Sequence, residues 1–346
     1  MNNPELPRNR ILIGDVRTRL PELPDAAVDC VITSPPYFAL RDYGQAGQLG
    51  LEPTVDDWVA GLVAVSREIR RVLKPGGSYW LNVADSYAHH PTKGTAKKSL
   101  LLGPQRLALA LAADGWVIRN HIIWSKTNPM PSNVQDRLAT THESIFFLTR
   151  RQHYYFDLNT IRQSLKERPA PRSAKPTTPT RRRYPPAGTL PRRTDRAHNI
   201  NSGLGKLKAS GRVGHPLGGN PGDVWRLATA AYRGAHFASF PQSLVERPLL
   251  ATCPERVCQV CGTPWQRARQ FLHGRWLAVG PLQPDCGCGT DWQPGVVLDP
   301  FLGSGTVALV AEQRRRDWVG VEINPAYAAL AAERLQTWRS TRRRTG

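Results

Sequence analysis

Three groups of residues have types and spacings that could do chemistry. The first is Ser34-Pro35-Pro36-Tyr37, which follows the apolar run Val28–Thr33 directly. Proline lacks a backbone donor and fixes φ, so two in succession stop a strand and leave a stiff, extended loop. Such a loop offers a hydroxyl, outward carbonyls and the flat phenol of Tyr37 at a strand's carboxyl end, where open α/β sheets bind ligands. The second group is Val296–Thr306, an apolar run that ends in Asp299-Pro300-Phe301 and turns through Leu302-Gly303-Ser304-Gly305 into a helix. Gly303, Gly305 and Ala308 fit G-x-G-x-x-A, and Glu322 lies 17 residues beyond Gly305 at the end of the next strand. Glycines let the backbone approach a ligand closely, the helix N-terminus favours a negative group, and the acidic residue is placed to accept from ribose hydroxyls. Alone, this pattern also suits a nicotinamide-dependent oxidoreductase. The third group is Cys258-Gln-Val-Cys261 and Cys286-Gly-Cys288, separated by 24 residues. Four thiolates paired in this way suit a tetrahedral structural zinc site. Cys253 is nearby and is not expected to be a ligand.

The elements that must position these groups alternate between strand and helix. Arg10–Ile13 and Val28–Thr33 read as buried strands. Asp56 and Asp57 are expected to cap a helix whose apolar positions Trp58, Leu62, Val65, Ile69 and Val72 form one buried stripe. Lys74-Pro-Gly-Gly should end that helix, with a strand at Ser78–Val83. A helix at Leu102–Ala112 and strands at Trp116–Trp124 and Ser144–Leu148 follow. Beyond the cysteines come a strand at Gly295–Leu298, a helix at Thr306–Gln313, a strand at Trp318–Ile323 and a helix at Ala326–Trp338. The alternation predicts an α/β fold, a doubly wound and mostly parallel sheet, with no internal repeat.

Charge and composition bound the partners. The chain has 346 residues and a formal net charge of +20. Residues 1–149 carry 16 basic and 14 acidic side chains, 150–215 carry 16 and 3, and 216–346 carry 15 and 10. One fifth of the chain therefore holds about two thirds of the excess. That stretch has seven prolines between Pro169 and Pro191 and few apolar residues, so it reads as a flexible basic segment over about 164–215. Runs such as Arg181-Arg182-Arg183 suit phosphate contacts. The 40% hydrophobic content supports a real core. No run of ~18 apolar residues exists to span a bilayer. The N-terminus lacks a signal-peptide pattern. Six cysteines are too few for a disulfide scaffold in a chain this long. The expectation is an intracellular protein with a polyanionic partner and no membrane association.

The two loops together resemble those of the DNA amino-methyltransferases, which use S-adenosylmethionine to methylate cytosine N4 or adenine N6. The opening Ile13-Gly14-Asp15 with Asp25, Val28-Asp29 and Thr33–Tyr37 is similar to that family's opening. So are Arg67–Gly77, Trp80-Leu-Asn-Val-Ala-Asp85, Trp124–Pro131 and His236-Phe-Ala-Ser-Phe240-Pro241. The resemblance covers nearly all of the chain outside the basic segment and the cysteine insert. Catalytic loop first, recognition sequence between, glycine loop last is the family's β arrangement.

The resemblance implies a Rossmann-like methyltransferase fold. Its catalytic half would be 1–163, and the segment at 164–215 would take part in target recognition. The core would resume over 216–254, a zinc-ribbon-like insert would occupy 255–294, and the cofactor half would be 295–346. In the catalytic loop Ser34–Tyr37, the Ser34 side chain and the Pro35 carbonyl would accept hydrogen bonds from the target amine. Tyr37 would stack on a base drawn out of double-stranded DNA. Gly303, Ser304 and Gly305 would surround the methionine part of the cofactor, flanked by Phe301 and Thr306, and Glu322 would hold its ribose. Asp299 would orient the loop or reach the methionine amino group. Phe240 and Pro241 would close the pocket, with Asp15 near the cofactor. The transfer needs no metal, so the zinc would be structural.

Ser at the first loop position is commoner in N4-cytosine enzymes, so that base is favoured, with adenine N6 the alternative. Cytosine carbon-5 methylation needs a Pro-Cys nucleophile, and no Pro-Cys dipeptide occurs. A nucleotide-dependent oxidoreductase and a non-catalytic DNA-binding protein are the rival classes. The implied setting is the cytoplasm of a prokaryote, or a phage-encoded enzyme; whether a cognate restriction endonuclease is a partner stays open. His89, His90 and His142 read as loop or packing residues.

Overall fold

The computed structural model describes residues 5–88, 95–163, 215, 217–229, 240–272 and 275–345. Nearly all of the expected basic segment, His89, His90 and residues 236–239 lie outside them. The chain divides into two compact units. One comprises Met1–Ile161, Gly222–Arg267 and Pro281–Gly346, and the other Arg162–Pro221 and Ala268–Gly280.

The first unit is built on an eight-stranded sheet. Its elements in chain order are β1 (Arg10–Ile13), α1 (Val16–Arg19), β2 (Val28–Thr33), α2 (Val55–Val72), β3 (Leu73–Val83), α3 (Gly103–Ala113), β4 (Val117–Lys126), β5 (His142–Thr149), β6 (Val224–Leu227) and α4 (Gln242–Thr252). Four strands of the cysteine region follow, β7 (Val257–Cys258), β8 (Gln266–Leu272), β9 (Arg275–Gln283) and β10 (Trp292–Gln293). The chain then returns to the sheet through β11 (Val296–Asp299), α5 (Thr306–Gln313), β12 (Asp317–Glu322) and α6 (Pro325–Thr345). The strand order is β1-β12-β11-β2-β3-β5-β4-β6. Only the β3–β5 and β4–β5 pairings are antiparallel, so β5 alone runs against the rest. The predicted fold class, a mostly parallel doubly wound sheet, is the observed one.

Every residue of β2 is buried, as expected of a parallel strand covered on both faces. Successive residues serve opposite layers. Val31, Tyr79, Leu81 and Leu298 join a core with Trp58, Leu62, Val65 and Ile69 of α2 and Leu107 and Leu111 of α3. Cys30, Ile32, Trp80 and Val297 join the opposite core with Leu244 and Leu249 of α4, Val307 and Val310 of α5 and Leu335 of α6.

Two local expectations need correction. The cap of α2 is Thr54, whose hydroxyl accepts from Asp57 N–H at 3.1 Å and donates to the Asp57 carboxylate at 2.6 Å. Thr54 has the extended backbone a cap needs, so Asp56 and Asp57 fall in the first turn, where their charge suits the helix dipole. Lys74-Pro-Gly-Gly is not a turn between helix and strand. The strand begins at Leu73, and the register slips between Val28↔Leu73 and Cys30↔Ser78. Gly77 is required in that irregularity, because a Cβ there would lie 2.8 Å from the Asp29 carbonyl. Asp29, buried in β2, braces it by accepting from Lys74 Nζ at 2.7 Å and Val296 N at 2.9 Å.

Within the cysteine region, β7 pairs antiparallel with β10, and β8 with β9 makes a separate two-stranded sheet. Ala268–Gly280 of that sheet belongs to the second unit, where Gln163 also bridges Gly219. No helix among the described residues is long and apolar enough to cross a membrane.

Candidate active site

The carboxyl ends of parallel strands all open on one edge of the sheet, and this edge carries the functional loops. β2 delivers Thr33 and Ser34, β11 delivers Asp299, and β12 delivers Glu322. The reversed strand β5 brings its amino end to the same edge, which puts Glu143 beside the catalytic loop.

Asp15, Ser34, Pro36, Phe240, Phe301, Gly303, Ser304, Thr306 and Glu322 line one cleft, together with Tyr43, Gln48 and Tyr327. Its walls combine aromatic rings with a few convergent polar groups, as small-molecule sites do. Gly303 and Gly305 both have left-handed backbones, φ 53° and 75°. Gly305 also abuts α6, where an added Cβ would meet Ala331 Cβ at 2.9 Å. Glu322 accepts from Gly303 N–H at 2.7 Å and from Asn324 N–H at 2.8 Å, so it shapes the glycine loop by direct contact. Burial raises its carboxyl above the usual range, against the pull of those N–H groups. Arg334 of α6 donates to the Ser304 carbonyl at 3.1 Å and to Thr306 Oγ1 at 3.0 Å. Asp15 caps α1 and is chelated by the Arg17 guanidinium, whose hydrogen bonds hold the carboxyl low.

Five predicted residues do not line the cleft. Asp299 is buried and accepts from Thr33 Oγ1 at 2.6 Å and Phe301 N–H at 3.1 Å, while its Oδ2 has no partner. Gly305 lies beneath the turn against α6, and Pro241 caps α4. Pro35 is buried within the Ser34–Tyr37 loop, and the Pro36 carbonyl is committed to Trp58 Nε1 at 2.9 Å. Tyr37 is half-buried, with its hydroxyl inside a polar network.

That network contains the residues sequence reasoning missed. Ser34 Oγ lies 2.8 Å from Tyr37 Oη, and Tyr37 donates to Glu143 Oε2 at 2.7 Å. Asn82, near the end of β3, donates to Tyr37 Oη at 2.8 Å and Glu143 Oε2 at 2.7 Å. Lys126 Nζ sits 2.6 Å from Glu143 Oε1. Burial and the Glu143 charge keep the Tyr37 hydroxyl well above its usual pKa, so it remains a donor. His142, next to Glu143, is exposed and lies outside the network. Cys30 is buried in β2 and its thiol is pushed up to about 12, mainly by desolvation, which disfavours a thiolate nucleophile there.

The sulfurs of Cys258, Cys261, Cys286 and Cys288 lie within 4.8 Å of one another. Metal–sulfur bonds of ~2.3 Å in a tetrahedron require sulfurs about 3.8 Å apart, so the donor set fits zinc with small adjustments. Cys253 is buried elsewhere, in the core of the sheet. The Pro254 carbonyl accepts from Gly295 N–H at 3.2 Å, so the chain leaves and re-enters the fold at adjacent points.

The DNA methylase family of N6 and N4 type matches residues 28–333. The chain belongs to this family. The methylase is 32% identical to Type II methyltransferase M.SmaI of Serratia marcescens over 94% of this chain and 90% of that protein. It is 33% identical to Type II methyltransferase M.XycI of Xanthomonas campestris pv. cyanopsidis, over 93% and 86%. Among solved structures, its fold matches PvuII DNA methyltransferase (cytosine-N4-specific) with a TM-score of 0.56 and 17% identity, over 95% of this chain and 88% of that one. It also matches a putative DNA modification methylase of Thermus thermophilus, complexed with S-adenosyl-L-methionine, with a TM-score of 0.51 and 21% identity over 94% and 92%.

Proposed function

We propose that this methylase transfers a methyl group from S-adenosylmethionine to the exocyclic N4 of cytosine at a specific site in double-stranded DNA. The observation that carries this reading is that Ser34 lines the same cleft as Gly303, Ser304 and Glu322. One cavity thus unites an acceptor for an amine with a site for a nucleoside-bearing donor.

The residues present fit that donor. Glu322 and Asp15 are the acceptors for hydroxyl groups, the Phe240, Phe301 and Tyr327 rings bound the cleft, and Asp299, buried outside its lining, orients the glycine loop through Phe301 N–H. The cofactor supplies a methyl group activated on a positive sulfur. The protein's task is to localise the amine's lone pair and aim it, a matter of positioning and fixed dipoles. Ser34 Oγ and the Pro35 carbonyl accept from the amine. Tyr37 offers a ring for the extruded base, and its hydroxyl fixes Ser34. Serine at the first loop position is the feature favouring cytosine over adenine. The net charge of +20 supports DNA as the partner. The four-cysteine cluster would hold a structural zinc ion that folds the insert over 255–294.

Nucleoside mass spectrometry of DNA treated with the purified protein tests the reading. N4-methylcytosine is expected, and N6-methyladenine in its place would overturn the choice of base. The double substitution Ser34→Ala with Tyr37→Ala should abolish methylation while DNA affinity stays close to that of the natural protein. Full activity in that variant would refute the site.

A further inference from the structure

Resting on that reading, we infer that Glu143 is the terminal proton acceptor of the methyl transfer, reached through Tyr37 and Ser34. A carboxylate is a costly group to place here. Glu143 is 8% exposed, and a buried charge costs several kcal/mol unless it is paired and hydrogen-bonded. The fold supplies both conditions from two other strands: Lys126 of β4 on Oε1, and Asn82 of β3 on Oε2. Packing alone would be served by an apolar side chain. The carboxylate instead completes a directed chain. With Tyr37 donating to Glu143, Tyr37 Oη is left to accept from the Ser34 hydroxyl. The Ser34 oxygen, which Asn82 Nδ2 approaches at 3.4 Å, then keeps a lone pair for an incoming N–H donor.

The reaction requires such a chain. As the nitrogen–carbon bond forms, the carbon–sulfur bond breaks and its electron pair stays on sulfur. The nitrogen gains a positive charge and must release one proton. It passes to Ser34 Oγ as the Ser34 proton moves to Tyr37 Oη and the Tyr37 proton to Glu143 Oε2. Ser34 and Tyr37 end as they began, and Glu143 ends neutral beside Lys126. Asn82 donates to both Tyr37 and Glu143, which holds their oxygens in line. Glu143 touches neither the base nor the donor, so it acts as a positioning residue and proton sink.

The test is single-turnover methylation at saturating DNA and S-adenosylmethionine, alongside dissociation constants for both. It compares the natural protein with Glu143→Gln, Glu143→Asp, Tyr37→Phe and the Tyr37→Phe/Glu143→Gln double variant. General acid–base contributions are typically about 10²-fold or more, so Glu143→Gln and Tyr37→Phe should each slow the step by about that factor. Both dissociation constants should stay within about threefold, because the lost interaction belongs to the transition state. The double variant should be no slower than the slower single variant, and Glu143→Asp should recover part of the rate. Losses that multiply in the double variant would overturn the relay, as would unchanged rates or losses confined to binding. Tyr37→Phe removes only one oxygen, so it interrogates the chain even if Glu143→Gln folds poorly. If the natural protein methylates no DNA, the functional reading fails. If it does and both single variants match its rate, only the relay fails.

Discussion

The Thr33 hydroxyl donates to the Asp299 carboxylate at 2.6 Å, joining residues 266 positions apart at the ends of neighbouring strands. The Ser34–Tyr37 loop and the glycine loop are thus fixed to each other by one buried contact. Asp299 also accepts from Phe301 N–H, which sets the first step of the glycine turn.

That contact makes stability depend on pH. Burial pushes the Asp299 carboxyl up from 3.8 to about 7; the Glu322 charge adds to the rise, and the Thr33 and Phe301 hydrogen bonds oppose it. The folded chain therefore keeps a proton there that the unfolded chain releases near pH 4. A group raised by folding contributes its stability fully below its unfolded pKa and loses it as pH rises through the folded one. The ligand-free protein should lose up to about 4 kcal/mol through this group between pH 4 and pH 8, at ~1.4 kcal/mol per unit. Asp299→Asn should remove that part of the slope. Denaturant unfolding of both proteins at several pH values across this window checks it. Parallel pH profiles for the two would sink the assignment.

Gly305 makes a sharper demand on the backbone. Its φ of 75° is costly for a residue with a side chain, and a Cβ would press on Ala331 at 2.9 Å. Gly305→Ala should cost about 1–2 kcal/mol from the left-handed backbone alone, with the crowding of α6 added. Because the turn carries Gly303 and Ser304 on the cleft, S-adenosylmethionine affinity should fall at least about tenfold, the equivalent of 1.4 kcal/mol. Calorimetric titration and thermal unfolding would measure both. Unchanged affinity would show that the turn does not shape the donor site.

The parts of this site legible in the sequence are those whose local backbone is unusual. Two prolines after an apolar run and two glycines before a helix announce loops, wherever the rest of the chain goes. Glu143 carries no such mark. It becomes a neighbour of Tyr37 only because β5 runs antiparallel beside β3, pairing Ser144 with Val83 and Ile145 with Asn82. Strand direction is a tertiary property, and the run Ser144–Leu148 reads the same in either sense. Asn82 lies inside a string that resembles the family, yet its alternating neighbours Leu81 and Val83 suggest only a strand. The cap at Thr54 is hidden by two aspartates, which are good caps in general but here fall inside the first turn.

The cysteine cluster leads to a metal measurement. Four sulfurs within 4.8 Å, drawn from two short segments, should bind one zinc ion per chain. Elemental analysis of the purified protein should find it, and Cys258→Ser with Cys261→Ser should lose it. Chelation should lower the melting temperature, because the insert has little apolar core of its own. S-adenosylmethionine affinity should persist, since no cysteine lines the cleft. A well-folded protein without stoichiometric zinc would end this proposal.

The basic segment should govern DNA affinity apart from the chemistry. Residues 168–212 contain 12 basic side chains and one acidic, whereas the described residues that line the cleft all lie outside that range. Each phosphate neutralised releases counterions, so affinity falls with salt at a slope set by the number of contacts. Deleting 168–212 should weaken DNA binding at low salt and flatten the plot of log affinity against log salt. A loss of several phosphate contacts corresponds to several units of slope, at about 0.9 per contact. S-adenosylmethionine binding should be unchanged, because the loops proposed for the donor are fixed by Thr33–Asp299 and Gly303–Glu322 within the sheet. An unaltered salt slope would remove the segment from the DNA interface, and a collapse of cofactor affinity would mean that the two tasks are not separable along the chain.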